Sequence, residues 1–124
     1  MSSEITRGLD IFELTPSALL TQNEIDAAKT AHLDYLNVQD QPHYTWPATF
    51  ALARAYVDQL ERSTGLPNDR VAVARQALDS AEHAGASARR TALTKLATQL
   101  EGDARTSSDA AKVRALATTV RAIR

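Results

Sequence analysis

The chain has 124 residues, a net charge of −1 and no cysteine. That length suits one domain, and a hydrophobic fraction of 44% excludes a wholly disordered chain. The missing thiols exclude disulfides and thiolate metal sites. The opening MSSEITRGLDIFEL has no basic stretch followed by an apolar run, so it does not read as a signal peptide. No stretch approaches the roughly 20 apolar residues of a membrane span. A soluble, cytoplasmic chain with no membrane partner is the expectation, and the heavy use of Ala and Arg is that of high-GC bacterial sequences. The small net charge hides a polarity. Residues 1–61 carry three Lys/Arg against nine acids, while residues 62–124 carry eleven against six. Such halves attract each other within one fold, pair with a second copy, or offer the basic half to an anionic partner.

In chain order, residues 1–14 hold Ile5, Leu9, Ile11, Phe12 and Leu14 without a clear period. They read as an irregular arm with a short extended piece, laid over a core. Thr15-Pro16 suits a helix start, so TPSALL reads as a short helical turn. TQNEIDAAKTAHLDYLN opens with Thr21 and Glu24, the T-x-x-E capping-box pattern. Ile25, Ala28, His32, Tyr35 and Leu36 then share one stripe, which predicts about four turns of helix fading at Asn37 or Val38.

The stretch DQPHYTWPATF follows, with two prolines, His43, Tyr44 and the only tryptophan, Trp46. Pro42 and Pro47 both disfavour helix at the residue before them, so a loop is expected up to Trp46 and a second helix from Pro47. On that helix Phe50, Ala53, Tyr56, Val57 and Leu60 share the inner face. Arg54, Asp58, Glu61 and Arg62 share the outer one, where Arg54/Asp58 and Asp58/Arg62 are spaced as i,i+4 pairs. TGLP ends it, with Gly65 in left-handed geometry, Leu66 folded back and Pro67 blocking continuation.

Asn68 or Asp69 is expected to cap a third helix with the stripe Val71, Ala74, Leu78 and Ala81, stopping at Gly85. Ser87 is expected to cap a fourth, with Leu93, Leu96, Ala97 and Leu100 inward and Gly102 at its end. Ser107 or Ser108 is expected to cap the last, with Val113, Leu116, Ala117, Val120 and Ile123 inward. Asp109 near its start and Arg121 and Arg124 near its end complement the helix dipole. No strand pattern is visible. The prediction is an all-α, single-domain antiparallel bundle of four to five helices over residues 1–124, with residues 1–14 as an N-terminal arm.

ALDSAEHA, ARRTALTKLATQLEGDA and SSDAAKVRALATTVRAI together resemble an Ala-rich helical module appended to the C-termini of diverse bacterial secreted and surface proteins. The resemblance covers about residues 66–124. It implies an interaction or packing module and carries no catalytic residues. This chain departs from that setting in showing neither an export signal nor an attached catalytic domain.

Tyr44, Trp46 and His43 form the candidate partner-binding loop. Tyr and Trp bury an apolar body while keeping a polar tip wet, a property shared by helix-end covers and by binding anchors. Arg89, Arg90, Arg114 and Arg121 are the candidate anion-binding residues of the basic half. That half has no aromatic residue, so base stacking is not on offer. His32, on the first stripe, reads as a core histidine. His32, His43 and His83 lack any zinc-site spacing, and the acid pairs Glu24/Asp26 and Asp34/Asp40 read as solvated carboxylates. There is no nucleophile elbow, phosphate loop or dinucleotide fingerprint, so neither a catalytic residue nor a cofactor is assigned. The leading expectation is a non-enzymatic module that binds a protein partner or a second copy. A nucleic-acid-associated regulator using the basic half comes second, and a small metal-dependent enzyme built on the histidines and nearby acids third.

Overall fold

The computed structural model describes residues 2–4, 8–10, 12–32, 39 and 44–124. Its order is β1 (Ser2–Glu4), β2 (Gly8–Asp10), α1 (Gln22–Lys29), α2 (Phe50–Arg62), α3 (Asn68–Glu82), α4 (Ala86–Asp103) and α5 (Ala110–Ala122). Five packed helices make the fold all-helical in its core. The arm is more regular than its apolar residues suggest: β1 and β2 pair antiparallel, Ser2 opposite Asp10 and Glu4 opposite Gly8. Three-residue strands are too short to leave a period-2 pattern. The end of the arm does not blanket the core, since Phe12 and Leu14 are exposed, as is Leu19 beyond it. TPSALL forms a tight turn instead of a helix. Ser17 and Leu20 exchange backbone hydrogen bonds, and the Ser17 hydroxyl accepts from the N–H groups of Leu19 and Leu20, an alternative that competes with helical bonding.

Helices α2, α3, α4 and α5 close a ring in which each packs on two neighbours, while α1 packs on the outside of α2 alone. The directions alternate. At one end Arg70 of α3 grips Asp103 of α4, and Ser107 donates to the Gly65 carbonyl. At the other, Arg54 near the start of α2 reaches Asp79 and Glu82 late in α3, and Arg89 of α4 reaches the end of α3. The core of the ring is built from the expected stripes. Val57 and Leu60 meet Val71, Ala74, Leu78 and Ala81, then Leu93, Leu96, Ala97 and Leu100, then Val113, Leu116, Ala117 and Val120. Each fully buried Leu or Val contributes on the order of 1.5–3 kcal/mol. The alanines among them add less but let the helices approach. Ile123 is only partly buried against this cluster, as are Phe50 and Tyr56.

Several boundaries differ from expectation. Pro47 precedes α2 without joining it; Thr49 is the N-cap, its side chain accepting from the Leu52 N–H. Pro67 and Gly85 stand at the N-caps of α3 and α4 with no side-chain hydrogen bond, so neither Asn68, Asp69 nor Ser87 caps. Helix α4 runs through Gly102 to Asp103. Asp109, rather than Ser107 or Ser108, caps α5 and accepts from the Lys112 N–H.

The first helix is the main correction. The capping box forms as expected: the Glu24 N–H donates to the Thr21 hydroxyl, and the Thr21 N–H donates to the Glu24 carboxylate. But α1 ends at Lys29. The Thr30 hydroxyl donates to the Ala27 carbonyl at 2.6 Å and the Ala31 N–H bonds back three residues to Ala28, closing the last turn tightly. Ile25 and Ala27 are buried, whereas Ala28 and His32 are exposed. His32 is therefore not a core histidine. Tyr35, Leu36, Asn37 and Val38 lie outside the described residues, as do Ile5, Ile11, Asp34, Asp40, Gln41, Pro42 and His43.

Candidate functional site

Two of the three loop residues singled out in sequence are described. Tyr44 and Trp46 stand just ahead of α2 with their rings edge to face, centroids 5.1 Å apart and planes at 86°. Edge-to-face packing is a favoured aromatic geometry, so each ring limits the freedom of the other. Trp46 nonetheless keeps 45% of its surface exposed. The pairing fixes the indole while leaving it available. Pro47 then restricts the backbone at Trp46.

The strongest polar assembly is one the sequence did not disclose. Asp58, placed on the outer face of α2 by spacing, is only 7% exposed. Its carboxylate accepts from the Thr21 hydroxyl at 2.8 Å, the Asn23 side-chain amide at 2.7 Å and Arg75 at 2.8 Å. Beside it, Glu24 accepts from Arg62 at 2.7 Å and from Gln59 at 3.0 Å. The Arg62 hydrogen bond leads in holding the Glu24 carboxyl down near a pKa of about 2; burial opposes it, and the Thr21 N–H and Gln59 add to the lowering. Arg75 also reaches Glu61 at 2.7 Å, and this contact first, then Asp58, raises its guanidinium further above the ordinary range. The i,i+4 pairs Arg54/Asp58 and Asp58/Arg62 are not used. Each member turns to another helix: Arg54 to Glu82 and Asp79, Asp58 to Arg75, Arg62 to Glu24. Every buried side-chain nitrogen and oxygen among the described residues has a hydrogen-bond partner. The cluster is thus a satisfied structural latch joining α1, α2 and α3.

The candidate anion-binding arginines separate. Arg89, Arg90 and Arg121 come together, with Arg124, around a cleft of about 680 Å³ between the start of α4 and the end of α5; Arg114 is not part of its lining. Arg89 donates to the carbonyls of Ala81, Glu82 and Ala84, satisfying the open end of α3, and lies 6.0 Å from the Phe50 ring centre. Arg121 lies 3.5 Å from Glu101, both side chains about half exposed.

His83 follows α3, its Nδ1 2.8 Å from the Asp79 carbonyl. Among the described residues no group of three or more His, Asp or Glu converges as a metal site, and no helix is long and apolar enough to cross a membrane. Comparison with protein-family models, curated proteins and solved structures finds no match to this chain.

Proposed function

We propose that this protein is a helical interaction module that associates with a second copy of itself through the face carrying Tyr44 and Trp46. The observation that carries the reading is the half-exposed Trp46, held edge-on by Tyr44 at 5.1 Å. Binding energy at protein interfaces concentrates in aromatic anchors whose conformation is settled before docking, because less side-chain entropy is lost on association. Phe12, Leu14 and Leu19 add exposed apolar surface ahead of α1.

Trp46 is the only tryptophan, so its fluorescence reports on its own burial. Raising the protein concentration should increase the molecular mass measured by light scattering while the emission shifts to shorter wavelength. Trp46→Ala should stay monomeric with unchanged helix content. A wild-type mass that stays monomeric up to high micromolar concentration, or a Trp46→Ala variant that associates like wild type, would exclude the proposal.

A further inference from the structure

The cleft between α4 and α5 has no role in the latch or in the proposed self-association. Its lining is Ala86, Arg89, Arg90, Thr94, Arg121, Ala122, Ile123 and Arg124. Four guanidinium-bearing residues line one concavity with no acidic side chain among them, in a chain whose net charge is −1. Concentrating one sign of charge in a low-dielectric recess focuses the field at its mouth.

The four arginines differ in how free they are. Arg90 and Arg124 are exposed, and their side chains make no hydrogen bond or ion pair among the described residues. Arg121 faces Glu101 at 3.5 Å with 55% and 44% of the two side chains exposed. An ion pair that open is worth little and exchanges readily for a better acceptor. Arg89 is held by three backbone carbonyls. These partners carry no full charge, so the negative end of the α3 dipole offsets its positive charge only in part, and its position is fixed before any ligand arrives.

We propose that this cleft binds a small, multiply charged phosphoryl anion of the pyrophosphate or tripolyphosphate type. Guanidinium groups match phosphoryl oxygens through paired, charge-assisted hydrogen bonds, and several arginines call for several phosphoryl groups. The volume of about 680 Å³ exceeds the needs of one phosphate. The lining contains no aromatic ring, so aromatic stacking of a nucleobase is not on offer there and recognition rests on the phosphoryl groups.

The test is calorimetric titration of the full chain with sodium tripolyphosphate at moderate salt, repeated with inorganic phosphate and with a short single-stranded DNA. Tripolyphosphate should bind saturably at one per chain and orthophosphate far more weakly. Arg90→Gln with Arg124→Gln should weaken tripolyphosphate binding by about tenfold or more, the loss expected when charge-assisted hydrogen bonds are removed. Arg114→Gln, outside the cleft, should leave it nearly unchanged. Amide chemical shifts of wild-type protein should move at residues 86–90 and 121–124, a readout that needs no variant to fold. Absence of saturable binding would overturn the proposal. So would equal weakening by Arg114→Gln, which means diffuse charge, or tighter binding of the DNA than of tripolyphosphate, which means a nucleic-acid surface. Trp46 takes no part, so either outcome leaves the self-association test independent.

Discussion

Thr64 is the one described non-glycine residue with positive φ, at 53°. It sits at the end of α2, where the Thr64 N–H donates to the Glu61 carbonyl and the Gly65 N–H donates to the Leu60 carbonyl. These are the two bonds of a Schellman motif, in which the residue after the cap takes left-handed geometry. The sequence places a glycine one residue later, at 65, and spacing alone assigned the left-handed role to it. Helix ends are uncertain by a residue or two from sequence. What reserves Gly65 is space: a Cβ there would lie 2.7 Å from the Leu60 side chain and 3.2 Å from Asp109. Thr64 therefore bears the strain, and left-handed geometry costs a non-glycine residue about 1–3 kcal/mol. Thr64→Gly should raise unfolding free energy by about 1 kcal/mol in denaturant titration, once the greater freedom of glycine in the unfolded chain is subtracted. Unchanged or lower stability would show that the threonine is not strained. Asp58 was illegible for a related reason. Its i,i+4 neighbours are arginines, which reads as a solvated face, while its actual partners Thr21, Asn23 and Arg75 lie 37, 35 and 17 residues away.

At the scale of elements, α3, α4 and α5 were legible because every residue of their core stripes is buried, apart from the partly buried Ile123 at the end of α5. In α1 the apolar spacing carried past the point where the backbone stops being helical. Eight residues are too few for a helix to persist unaided in water, so α1 depends on its dock. That dock is a small apolar patch of Ala27, Leu52 and Ala55 beside the polar latch. Only the capping box announced it, and Glu24 serves the box and Arg62 at once. The Glu24 carboxyl has a folded pKa of about 2 against an ordinary 4.5. A depressed acid contributes stability that is complete above the unfolded value and is lost as pH falls through the interval between the two. The gap in stability between wild type and Glu24→Gln should thus be constant near neutral pH and narrow steadily from about pH 4.5 towards pH 2. Urea midpoints of both proteins across that range measure it; a gap that stays constant to pH 2 would mean that Glu24 is not depressed.

For the whole molecule, part of the charge polarity of the sequence is spent inside the fold. Acids of the first half, Glu24, Asp58 and Glu61, pair with Arg62 and Arg75 of the second, and Arg54 of the first pairs with Asp79 and Glu82 of the second. Four arginines of the second half, Arg89, Arg90, Arg121 and Arg124, gather at the cleft between α4 and α5. Neither arrangement is readable from composition, because both depend on which helix ends meet. The ring of α2 to α5 contains its own core, to which α1 contributes no buried residue. Its opening should therefore separate from that of α1, as structure with few buried apolar contacts opens at lower free energy. Native-state hydrogen exchange against denaturant decides this most directly. The amides of Val57, Leu60, Leu78, Leu96 and Leu116 should exchange only through global unfolding, and those of Asp26 to Lys29 through a smaller opening with weak denaturant dependence. Convergence of the α1 amides with the core at all denaturant concentrations would contradict a four-helix ring that stands without its docked first helix.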